Sequence, residues 1–363
     1  MNTSTVAESG LEHAWSVLRE GITQRAFPGA AAAITLDGRL LALRGFGRLT
    51  YEKDAPEVTG ETIFDLASLT KVMAGTSMAM VLYGRGVLDL DATVVAIVPE
   101  FGGSGERKSV TILHLLAHTS GLPAYERLFE RAHSREEVIA AACRVPLVAA
   151  PGDHAEYSDI GFIVLTQILE RLADERIDAF CAREILGPLG LARTGYRPPP
   201  EWREQIAPTE EDRFFRHRVI QGEVHDENAS VMDSVSAHAG LFAPATDVAK
   251  FAEWMLAGGE PVVRAHTVGL FTSPQPVKHD YARALGWDLV SPPSQSGRYF
   301  SPSAYGHLGY TGTSLWIDPA RRLSVTLLTN RTWPDRRSEL IKQVRPAFHD
   351  AVLDALGFTS GVH

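Results

Sequence analysis

The chain has 363 residues, of which 45% are hydrophobic and 22% are charged, and its formal net charge is −9. These proportions are those of an ordinary globular protein and exclude a disordered or fibrous chain. The negative charge, together with the lack of any Lys/Arg-rich block, argues against binding to nucleic acid. A chain of this length builds one large domain or two interleaved domains rather than one minimal core.

The sequence carries no recognisable targeting or membrane-spanning segment. Residues 1–10 have neither the basic segment nor the apolar segment of a secretory signal, and no apolar run approaches the length of a membrane span. We therefore expect a soluble cytoplasmic protein with no membrane contact.

The two cysteines, Cys143 and Cys181, lie in apolar, helical surroundings without a partner at metal-ligand spacing. This favours buried free thiols, although a disulfide between them stays open.

The N-terminal part of the chain predicts a helix followed by a β-hairpin. Apolar residues at helical spacing predict an amphipathic helix over about residues 9–26. Two apolar runs follow, at 30–36 and 40–46. Asp37-Gly38 joins them, and this pair between apolar runs is typical of a tight hairpin turn.

The C-terminal part of the chain predicts a β-hairpin followed by a helix. Apolar runs at 314–317 and 323–328 flank a turn at 318–322, which predicts a second hairpin. An apolar stripe then predicts a final helix over about residues 337–356.

Residues 72–235 differ, because helical patterns dominate and are separated by Pro/Gly breaks. The helical segments are predicted at 110–118, 135–143, 160–173 and 177–186.

These elements predict an α/β fold of the α+β type. Residues 1–75 and 236–363 are expected to form an α/β domain from both chain ends, with an antiparallel sheet flanked by the N- and C-terminal helices. Residues 76–235 are expected to form an inserted, mostly helical domain. A cleft between two such domains is a natural place for an active site.

Ser68-Leu69-Thr70-Lys71 is the only Ser-x-x-Lys sequence of the chain, and it lies where a helix is predicted to begin. Positions i and i+3 share a helix face, so Lys71 can reach the Ser68 hydroxyl. A serine needs a neighbouring base to become a nucleophile, and a lysine with a lowered pKa can serve. The alternative is a serine that caps the helix, followed by a solvated lysine.

Tyr157-Ser158-Asp159 lies on a predicted loop before a helix and is a candidate proton-transfer group. A tyrosine near a lysine ammonium loses its proton more easily, because the positive charge stabilises the phenolate. The alternative is a tyrosine that merely packs at a helix start.

A second candidate segment runs from His307 to Thr313 and enters a predicted strand. Its glycines permit a ligand to approach the strand backbone closely. The Tyr310 N–H would then join the Ser68 N–H as donors to an oxyanion. The alternative is a glycine-rich strand entry with an exposed histidine.

Three motifs in this order resemble those of the penicillin-recognising serine hydrolases: Ser68-x-x-Lys71, Tyr157-Ser158-Asp159 and His307-Leu308-Gly309. The class C β-lactamase-like branch, with its D-alanyl-D-alanine peptidase-like proteins and esterases, is the most similar. The resemblance extends over about residues 10–355. Further segments that look like the family are found at 64–68, 111–122, 239–242 and 312–319.

The resemblance implies a β-lactamase/transpeptidase-like fold and a set of residue roles. Ser68 would be acylated, and Lys71 would help to remove its proton. Tyr157 would pass a proton to the leaving group and later activate water. The backbone amides of Ser68 and Tyr310 would bind the oxyanion. None of these roles requires a metal or another cofactor.

Two departures from the β-lactamase pattern bear on the substrate. His307-Leu308-Gly309 replaces the common Lys-Thr-Gly, so a fixed cation gives way to a side chain expected to titrate near neutral pH. Asp159 replaces the asparagine of class C β-lactamases with an acceptor-only carboxylate, which would repel an anionic substrate. Both changes favour a neutral ester or amide. We expect His307 to act with the catalytic residues, and Asp159, Gly309 and Thr311 to contact the substrate.

The segment 222–228 is dense in potential metal ligands, but a single histidine with adjacent acids lacks converging geometry. A loop that borders the cleft is favoured, with His225 or Asn228 near the substrate. His114 and His118 lie four residues apart on a predicted helix without the intervening glutamate of a zinc protease motif, which favours a structural role.

Together these observations predict a serine hydrolase that acts through an acyl-enzyme on a small ester or amide, with esterase activity favoured. A β-lactamase or D-alanyl-D-alanine carboxypeptidase is the first alternative, and a catalytically silent ligand-binding sensor is the second. The expected partner is a small molecule, and the sequence gives no oligomeric state. Trp202, Phe214 and Phe215 either line the acyl pocket or anchor a loop.

Overall fold

The computed structural model of the protein describes residues 10–103, 105–277, 283–291 and 295–359. The strands, in chain order, are β1 (Gly29–Leu36), β2 (Arg39–Gly47), β3 (Ile63–Asp65), β4 (Gly195–Tyr196), β5 (Glu210–Asp212), β6 (Arg218–Ile220), β7 (Leu241–Pro244), β8 (Asp288–Leu289), β9 (Tyr305–Leu308), β10 (Ser314–Asp318) and β11 (Leu323–Thr329). The α-helices are α1 (Glu12–Thr23), α2 (Ser77–Gly84), α3 (Val94–Ile97), α4 (Ile112–Leu116), α5 (Arg135–Ala142), α6 (Asp159–Ala173), α7 (Ile177–Cys181), α8 (Glu227–Val231), α9 (Ala245–Leu256), α10 (Ala265–Thr272) and α11 (Ile341–Ala355). A π-helical segment, Lys71–Thr76, leads into α2, and another, Ala182–Leu186, continues α7.

The main sheet joins the two ends of the chain. Within the described residues it has six strands in the order β2-β1-β11-β10-β9-β8, and each neighbouring pair is antiparallel. Asp37 and Gly38 have φ values of 51° and 75°, the left-handed conformation that the two-residue turn between β1 and β2 requires. Both predicted hairpins, β1–β2 and β10–β11, are confirmed.

Each face of the main sheet is covered by different helices. Successive side chains of β1 point to opposite faces: Ala30, Ala32 and Ile34 belong to one apolar cluster, and Ala31 and Ala33 to another. The first cluster lies beneath the terminal helices α1 and α11, which also contact each other. The second lies beneath α9, which contacts β1 and β11. The predicted antiparallel sheet, flanked on one face by the N- and C-terminal helices, is therefore confirmed.

Helix α6 is the centre of the middle part of the chain and contacts α2, α3, α4, α5 and α7. The four helices predicted in this part correspond to α4, α5, α6 and α7 with its π-helical continuation. α4 is shorter than predicted. Thr111 caps its start by accepting the His114 N–H, and His118 lies just beyond its end with a left-handed φ of 57°.

The middle part is not wholly helical. It supplies β4 to a small sheet of order β3-β7-β4, and it contains the hairpin β5–β6. The sequence of β5 is Glu-Glu-Asp, so it lacks the alternation of apolar and polar residues that predicts a strand. One apolar cluster includes both Ala31 of β1 and Phe162 of α6, so sheet and helices share a core. The division into 1–75 with 236–363 and 76–235 stays a prediction.

Cys143 and Cys181 are both buried and both carry free thiols. This confirms the favoured interpretation and removes a disulfide between them. Burial raises the pKa of the Cys143 thiol to about 11, so it is not an ionised nucleophile at neutral pH.

In the part of the chain that the structure describes, the longest helices are α6 and α11, with 15 residues each. Among the described residues, no helix combines the length and the apolar character that a membrane span needs.

Replacing Trp15 with alanine is expected to lower the free energy of unfolding by about 3–5 kcal/mol, the usual range for truncating a buried Phe or Trp. Its ring is buried in α1 and lies 5.4 Å from that of Phe46 and 6.2 Å from that of Phe348. Glu20→Ala, on the exposed side of α1, is the control, with an expected change within about 0.5 kcal/mol. Urea unfolding followed by circular dichroism compares them. Equal midpoints for the two variants would contradict this packing.

Candidate active site

Ser68 lies at the sharp turn between β3 and the π-helical segment that leads into α2. Asp65 shapes this turn, because its buried carboxylate accepts the Ala67 N–H at 2.8 Å and the His225 N–H at 2.6 Å. Ala67 has a left-handed φ of 46°, a strained conformation that often occurs at functional sites. Between residues 62 and 74, Ser68 is the one residue that is not fully buried. The turn therefore presents the Ser68 side chain to solvent at a helix start.

Lys71 is completely buried, and its ammonium is held by three acceptors. Its Nζ lies 3.0 Å from Ser68 Oγ, 2.6 Å from Asp159 Oδ1 and 3.2 Å from the carbonyl oxygen of His238. Three acceptors satisfy all three ammonium protons. Burial lowers the pKa of Lys71, and the Asp159 carboxylate opposes this by favouring the charged form. A buried lysine beside a serine hydroxyl is suited to act as its base.

Tyr157 is the second group at the Ser68 hydroxyl. Its O–H donates to Ser68 Oγ at 2.7 Å, and its ring lies 4.8 Å from that of His118. The expected loss of its proton beside Lys71 is wrong. Burial raises the pKa of Tyr157 well above 10, and the Asp159 carboxylate adds to this effect. Tyr157 is therefore a neutral phenol and a proton donor at neutral pH.

His307 lies in β9 with its side chain buried against Tyr157, at 5.8 Å between ring centres. Its Nδ1–H donates to the Leu308 carbonyl oxygen at 2.8 Å. The expected titration near neutral pH is wrong, because burial lowers the pKa of His307 to about 4. Its Nε2 is buried and has no partner among the described residues. The third motif therefore presents a neutral imidazole to the site.

The loop 309–313 is tied to the segment before Ser68 by two threonine hydroxyls. Thr311 Oγ1 donates to the Asp65 carbonyl at 2.8 Å, and Thr313 Oγ1 donates to the Leu66 carbonyl at 2.9 Å. Thr311 was expected to contact the substrate, but its side chain is buried behind the cavity wall and connects the loop instead. A Cβ atom on Gly309 would lie 2.6 Å from the Leu66 carbonyl oxygen, so the close approach of the two segments requires glycine.

The two expected oxyanion donors are free to bind a ligand. Neither the Ser68 N–H nor the Tyr310 N–H donates to an acceptor within the described residues. Ser68, Gly309 and Tyr310 all line the same cavity. Unpaired backbone N–H groups at such a place are suited to bind the oxygen of a tetrahedral intermediate.

Asp159 is the first residue of α6 and lines the cavity, with 18% of its side chain exposed. Asp159 was expected to repel anionic substrates. Its carboxylate instead pairs with the Lys71 ammonium at 2.6 Å, which compensates the negative charge. Asp159 is thus a partner of the base as well as part of the cavity wall.

The cavity has a volume of about 1040 Å³ and is lined by aromatic and charged side chains. Phe214 and Phe215 line it, whereas Trp202 packs against a separate apolar cluster of Ile63, Ile206 and Phe242. The pocket interpretation therefore holds for the two phenylalanines and the loop-anchor interpretation for Trp202. The cationic residues of the lining are Arg127, Arg283, Arg331, Arg336, Lys342 and Arg345.

The loop 222–228 borders the cavity as predicted, and the structure separates its two candidate contacts. His225 lines the cavity, with Nε2 at 2.9 Å from Glu210 Oε2. Asn228 is buried, and its amide bridges the Phe129 N–H and the Glu126 carbonyl oxygen. Asn228 therefore holds a neighbouring loop rather than contacting a ligand.

Several side chains near Ser68 carry no motif and were missed in the sequence. Arg283 and Asp288 form an ion pair, and the Arg283 guanidinium lies 5.7 Å from the Tyr157 ring. His238 was expected only in a tight turn, but its carbonyl holds Lys71 and its Nε2 lies 2.9 Å from Asp226 Oδ1. These positions are fixed by tertiary contacts, so local sequence patterns do not reveal them.

His118 has the structural role that its spacing suggested, but it fulfils that role at the site itself. Its Nδ1 accepts the Ser158 N–H at 2.9 Å, and its ring stacks on Phe162 at 5.0 Å. It thereby supports the backbone that carries Tyr157. Burial lowers the pKa of His118 well below 6.5, so the imidazole is neutral.

Comparison with known proteins identifies the family of this site. A family model for β-lactamases matches residues 16–347. The chain belongs to the β-lactamase family. This membership confirms the family predicted from the three motifs and makes the protein a serine hydrolase.

Two curated relatives and one solved structure are similar to this β-lactamase-family protein. It is 35% identical to the N-acetylmuramyl-L-alanine amidase of Bacillus subtilis (strain 168), over 84% of this chain and 77% of the relative. It is 31% identical to an Escherichia coli (strain K12) protein named as a D-alanyl-D-alanine carboxypeptidase, over 78% of this chain and 72% of the relative. The hydrolase EstCE1, with promiscuous acyltransferase activity, shares the fold at a TM-score of 0.78 and 22% identity, over 95% of this chain and 99% of that chain.

Asp159→Asn is expected to shift the acidic limb of the kcat/KM profile to lower pH. The Asp159 carboxylate raises the pKa of Lys71, so its removal lets Lys71 lose its proton at a lower pH. The acidic limb of kcat/KM reports the essential base of the free enzyme. Steady-state hydrolysis of a 4-nitrophenyl ester between pH 5 and pH 9 (roughly the range in which such limbs fall) measures the shift.

Glu126→Gln is the matched control, because it removes a carboxylate that pairs with Arg131 at the surface. Its profile is expected to match that of the wild type. An unshifted acidic limb in Asp159→Asn would show that Lys71 is not the titrating base.

Proposed function

We propose that the protein is an amidase that cleaves an amide bond of a cell-wall fragment through an acyl-enzyme on Ser68. The observation that carries this proposal is the neutral phenol of Tyr157, whose O–H lies 2.7 Å from Ser68 Oγ. An amine is a poor leaving group unless its nitrogen gains a proton as the C–N bond breaks. A phenol that keeps its proton beside the nucleophile supplies this proton.

The size of the cavity supports a larger substrate than a short-chain ester. Its volume of about 1040 Å³ is at the upper end of the roughly 300–1,000 Å³ usual for small-molecule sites. Its wall combines Tyr125, Phe129 and Phe215 with arginines such as Arg331 and Arg336. Such a surface suits a molecule that has both a bulky, weakly polar part and a charged part, as a sugar–peptide conjugate does.

The relatives favour the same bond type. The two relatives described above are named as an N-acetylmuramyl-L-alanine amidase and a D-alanyl-D-alanine carboxypeptidase, and both names denote hydrolysis of an amide bond. The Bacillus relative has the higher identity and covers more of this chain. We therefore assign the acyl side to an N-acetylmuramyl group and the amine side to a peptide that begins with L-alanine.

The acylation step uses the geometry at Ser68 directly. Acylation starts from the form of the enzyme in which Lys71 has lost its ammonium proton. The neutral amine takes the Ser68 proton, and Oγ attacks the amide carbonyl carbon. The N–H groups of Ser68 and Tyr310 stabilise the oxyanion. Tyr157 gives its proton to the leaving nitrogen, and the free peptide amine departs. The enzyme then holds an ester at Ser68, an ammonium at Lys71 and a phenolate at Tyr157, which the adjacent ammonium stabilises.

Deacylation restores every proton. The Tyr157 phenolate takes a proton from water, and the hydroxide attacks the ester carbonyl. Lys71 returns its proton to Ser68 Oγ as the acid departs. His307 stays neutral throughout and forms part of the wall beside Tyr157.

A D-alanyl-D-alanine carboxypeptidase is the second candidate, and Arg283 favours it. This guanidinium lies in the cavity wall near the Tyr157 ring, and its Nη1 has no partner among the described residues. A terminal carboxylate of a peptide would pair with it. The esterase activity favoured by the sequence is expected as a side reaction, because a 4-nitrophenolate leaves without a proton.

Tyr157→Phe is expected to separate amide from ester hydrolysis. On N-acetylmuramyl-L-alanyl-D-isoglutamine its kcat/KM falls by about 10²–10⁴-fold, the usual contribution of a general acid. Acylation by 4-nitrophenyl acetate falls by less than about tenfold, because that leaving group needs no proton. Amine release by mass spectrometry and 4-nitrophenolate release by absorbance measure the two reactions.

Tyr305→Phe is the control, because Tyr305 is a buried tyrosine of β9, the strand that carries His307. Both of its rates are expected to stay near those of the wild type. Equal losses on both substrates in Tyr157→Phe would contradict protonation of the leaving group. Faster hydrolysis of a D-Ala-D-Ala peptide than of the muramyl amide would replace the proposal with the second candidate.

A further inference from the structure

The loop 309–313 directs all its carbonyl oxygens toward donors within the protein. Two arginines supply three of these bonds: Arg345 Nη2 lies 2.5 Å from Gly309 O and 3.0 Å from Thr313 O, and Arg331 Nε lies 2.6 Å from Tyr310 O. The other bonds come from backbone N–H groups and a hydroxyl, namely Gly312 N to Gly309 O, Arg331 N to Thr311 O, Thr329 Oγ1 to Gly312 O and Gly309 N to Thr313 O.

Arg345 is a buried cation without an anionic partner in the part of the chain that the structure describes. Only 5% of the residue is exposed, and its remaining hydrogen bond, from Nη1, goes to Gln295 Oε1 at 3.0 Å. All its hydrogen bonds to described residues go to uncharged acceptors. Buried charges are normally paired, since desolvation is costly. The bonds to Gly309 O and Thr313 O are therefore the main compensation for burying this guanidinium.

We propose that Arg345 is a positioning residue that aims and polarises the Tyr310 N–H of the oxyanion hole. Gly309 O and the Tyr310 N–H belong to the same peptide group. That peptide is trans, so its C=O and N–H point in opposite directions. A guanidinium that holds the oxygen from one side fixes the N–H on the other side. This inference rests on the acyl-enzyme mechanism proposed above.

The charge of Arg345 has a second effect on this peptide group. A cation at the carbonyl oxygen draws electron density from the amide nitrogen, which makes its N–H a stronger donor. Hydrogen bonds that involve an ionised group are about twice as strong as neutral ones. The oxyanion would thus receive a bond from an N–H that Arg345 has polarised in advance, with no reorganisation at the moment of reaction.

Arg331 provides an internal comparison on the same loop. Its Nε binds Tyr310 O, the carbonyl of the following peptide, which does not contain the Tyr310 N–H. Like Arg345, Arg331 donates a guanidinium hydrogen bond to a carbonyl oxygen of this loop, and only 5% of the residue is exposed. If Arg345 acts by aligning the Gly309–Tyr310 peptide group, loss of Arg331 disturbs the loop but weakens the binding of the oxyanion less than loss of Arg345.

The test combines Arg345→Met with a change of one substrate atom. 4-Nitrophenyl acetate and its thionoester share a leaving group but place oxygen or sulfur in the oxyanion hole, and sulfur is the weaker acceptor. Loss of one oxyanion donor typically costs about 10²–10³-fold in kcat. For Arg345→Met we expect acylation of the oxygen ester to fall by about 30–100-fold with KM changed by less than about threefold, which corresponds to most of one donor. The ester-to-thionoester rate ratio is expected to fall by at least about tenfold, because the thionoester makes less use of that donor.

Arg107→Met is the matched control for loss of a guanidinium that binds carbonyls. Arg107 donates to the carbonyl oxygens of Phe101, Cys143 and Val145, far from the loop 309–313 in sequence and outside the cavity lining. Its ester-to-thionoester ratio is expected to equal that of the wild type, whatever its thermal midpoint. Arg331→Met is expected to give a ratio between those of the wild type and Arg345→Met.

An unchanged ester-to-thionoester ratio in folded Arg345→Met would overturn the proposal, even if its overall rate fell. If Arg345→Met does not fold, Arg345→Lys decides. An ammonium lacks the planar fork, so the ratio must fall by at least about threefold, and an unchanged ratio overturns the proposal. Failure of the acyl-enzyme mechanism itself is distinguishable, because Ser68→Ala would then keep its ester hydrolysis, whereas failure of the Arg345 proposal alone leaves Ser68→Ala inactive.

Discussion

The buried ammonium of Lys71 is the interaction on which the rest of the site depends. A lysine with no exposed surface is tolerated because three acceptors surround its Nζ, and they come from three separate parts of the chain. Ser68 precedes α2, Asp159 begins α6, and the His238 carbonyl precedes β7. Each of these segments must be in place before the charge is compensated. The same contacts that permit the burial place the serine hydroxyl beside its base.

The electrostatics of the site follow from this single compensated charge. Burial keeps Tyr157 and His307 neutral, so two uncharged proton-bearing rings lie beside the ion pair of Lys71 with Asp159. The loop 309–313 forms part of the wall of the same cavity. Its carbonyl oxygens accept hydrogen bonds from within the protein, and its Tyr310 N–H is left for a ligand. Proton donor, base and oxyanion donors are therefore in place before substrate binds, which is the arrangement that lowers a barrier without reorganisation.

The sequence predicts much of this architecture, for physical reasons that differ by element. Hairpins and terminal helices are visible because turn chemistry and apolar periodicity are local, and the three motifs carry Ser68, Lys71 and Tyr157. The protonation states predicted for Tyr157 and His307 were wrong, because they depend on burial, a tertiary property that no motif records. Thr311 was misplaced for a similar reason, since strand alternation does not tell which hydroxyls a neighbouring segment takes. Arg345 carries no local signal at all.

The central claim is that the acyl group of the substrate passes to Ser68, and direct observation of that intermediate tests it best. The protein is mixed with 4-nitrophenyl acetate, quenched in acid during turnover and examined by intact-mass and peptide mass spectrometry. We predict one acetyl group per chain, located on the peptide that contains Ser68 and absent from Ser68→Ala. An acetyl group on another residue, or unchanged turnover in Ser68→Ala, would contradict the account.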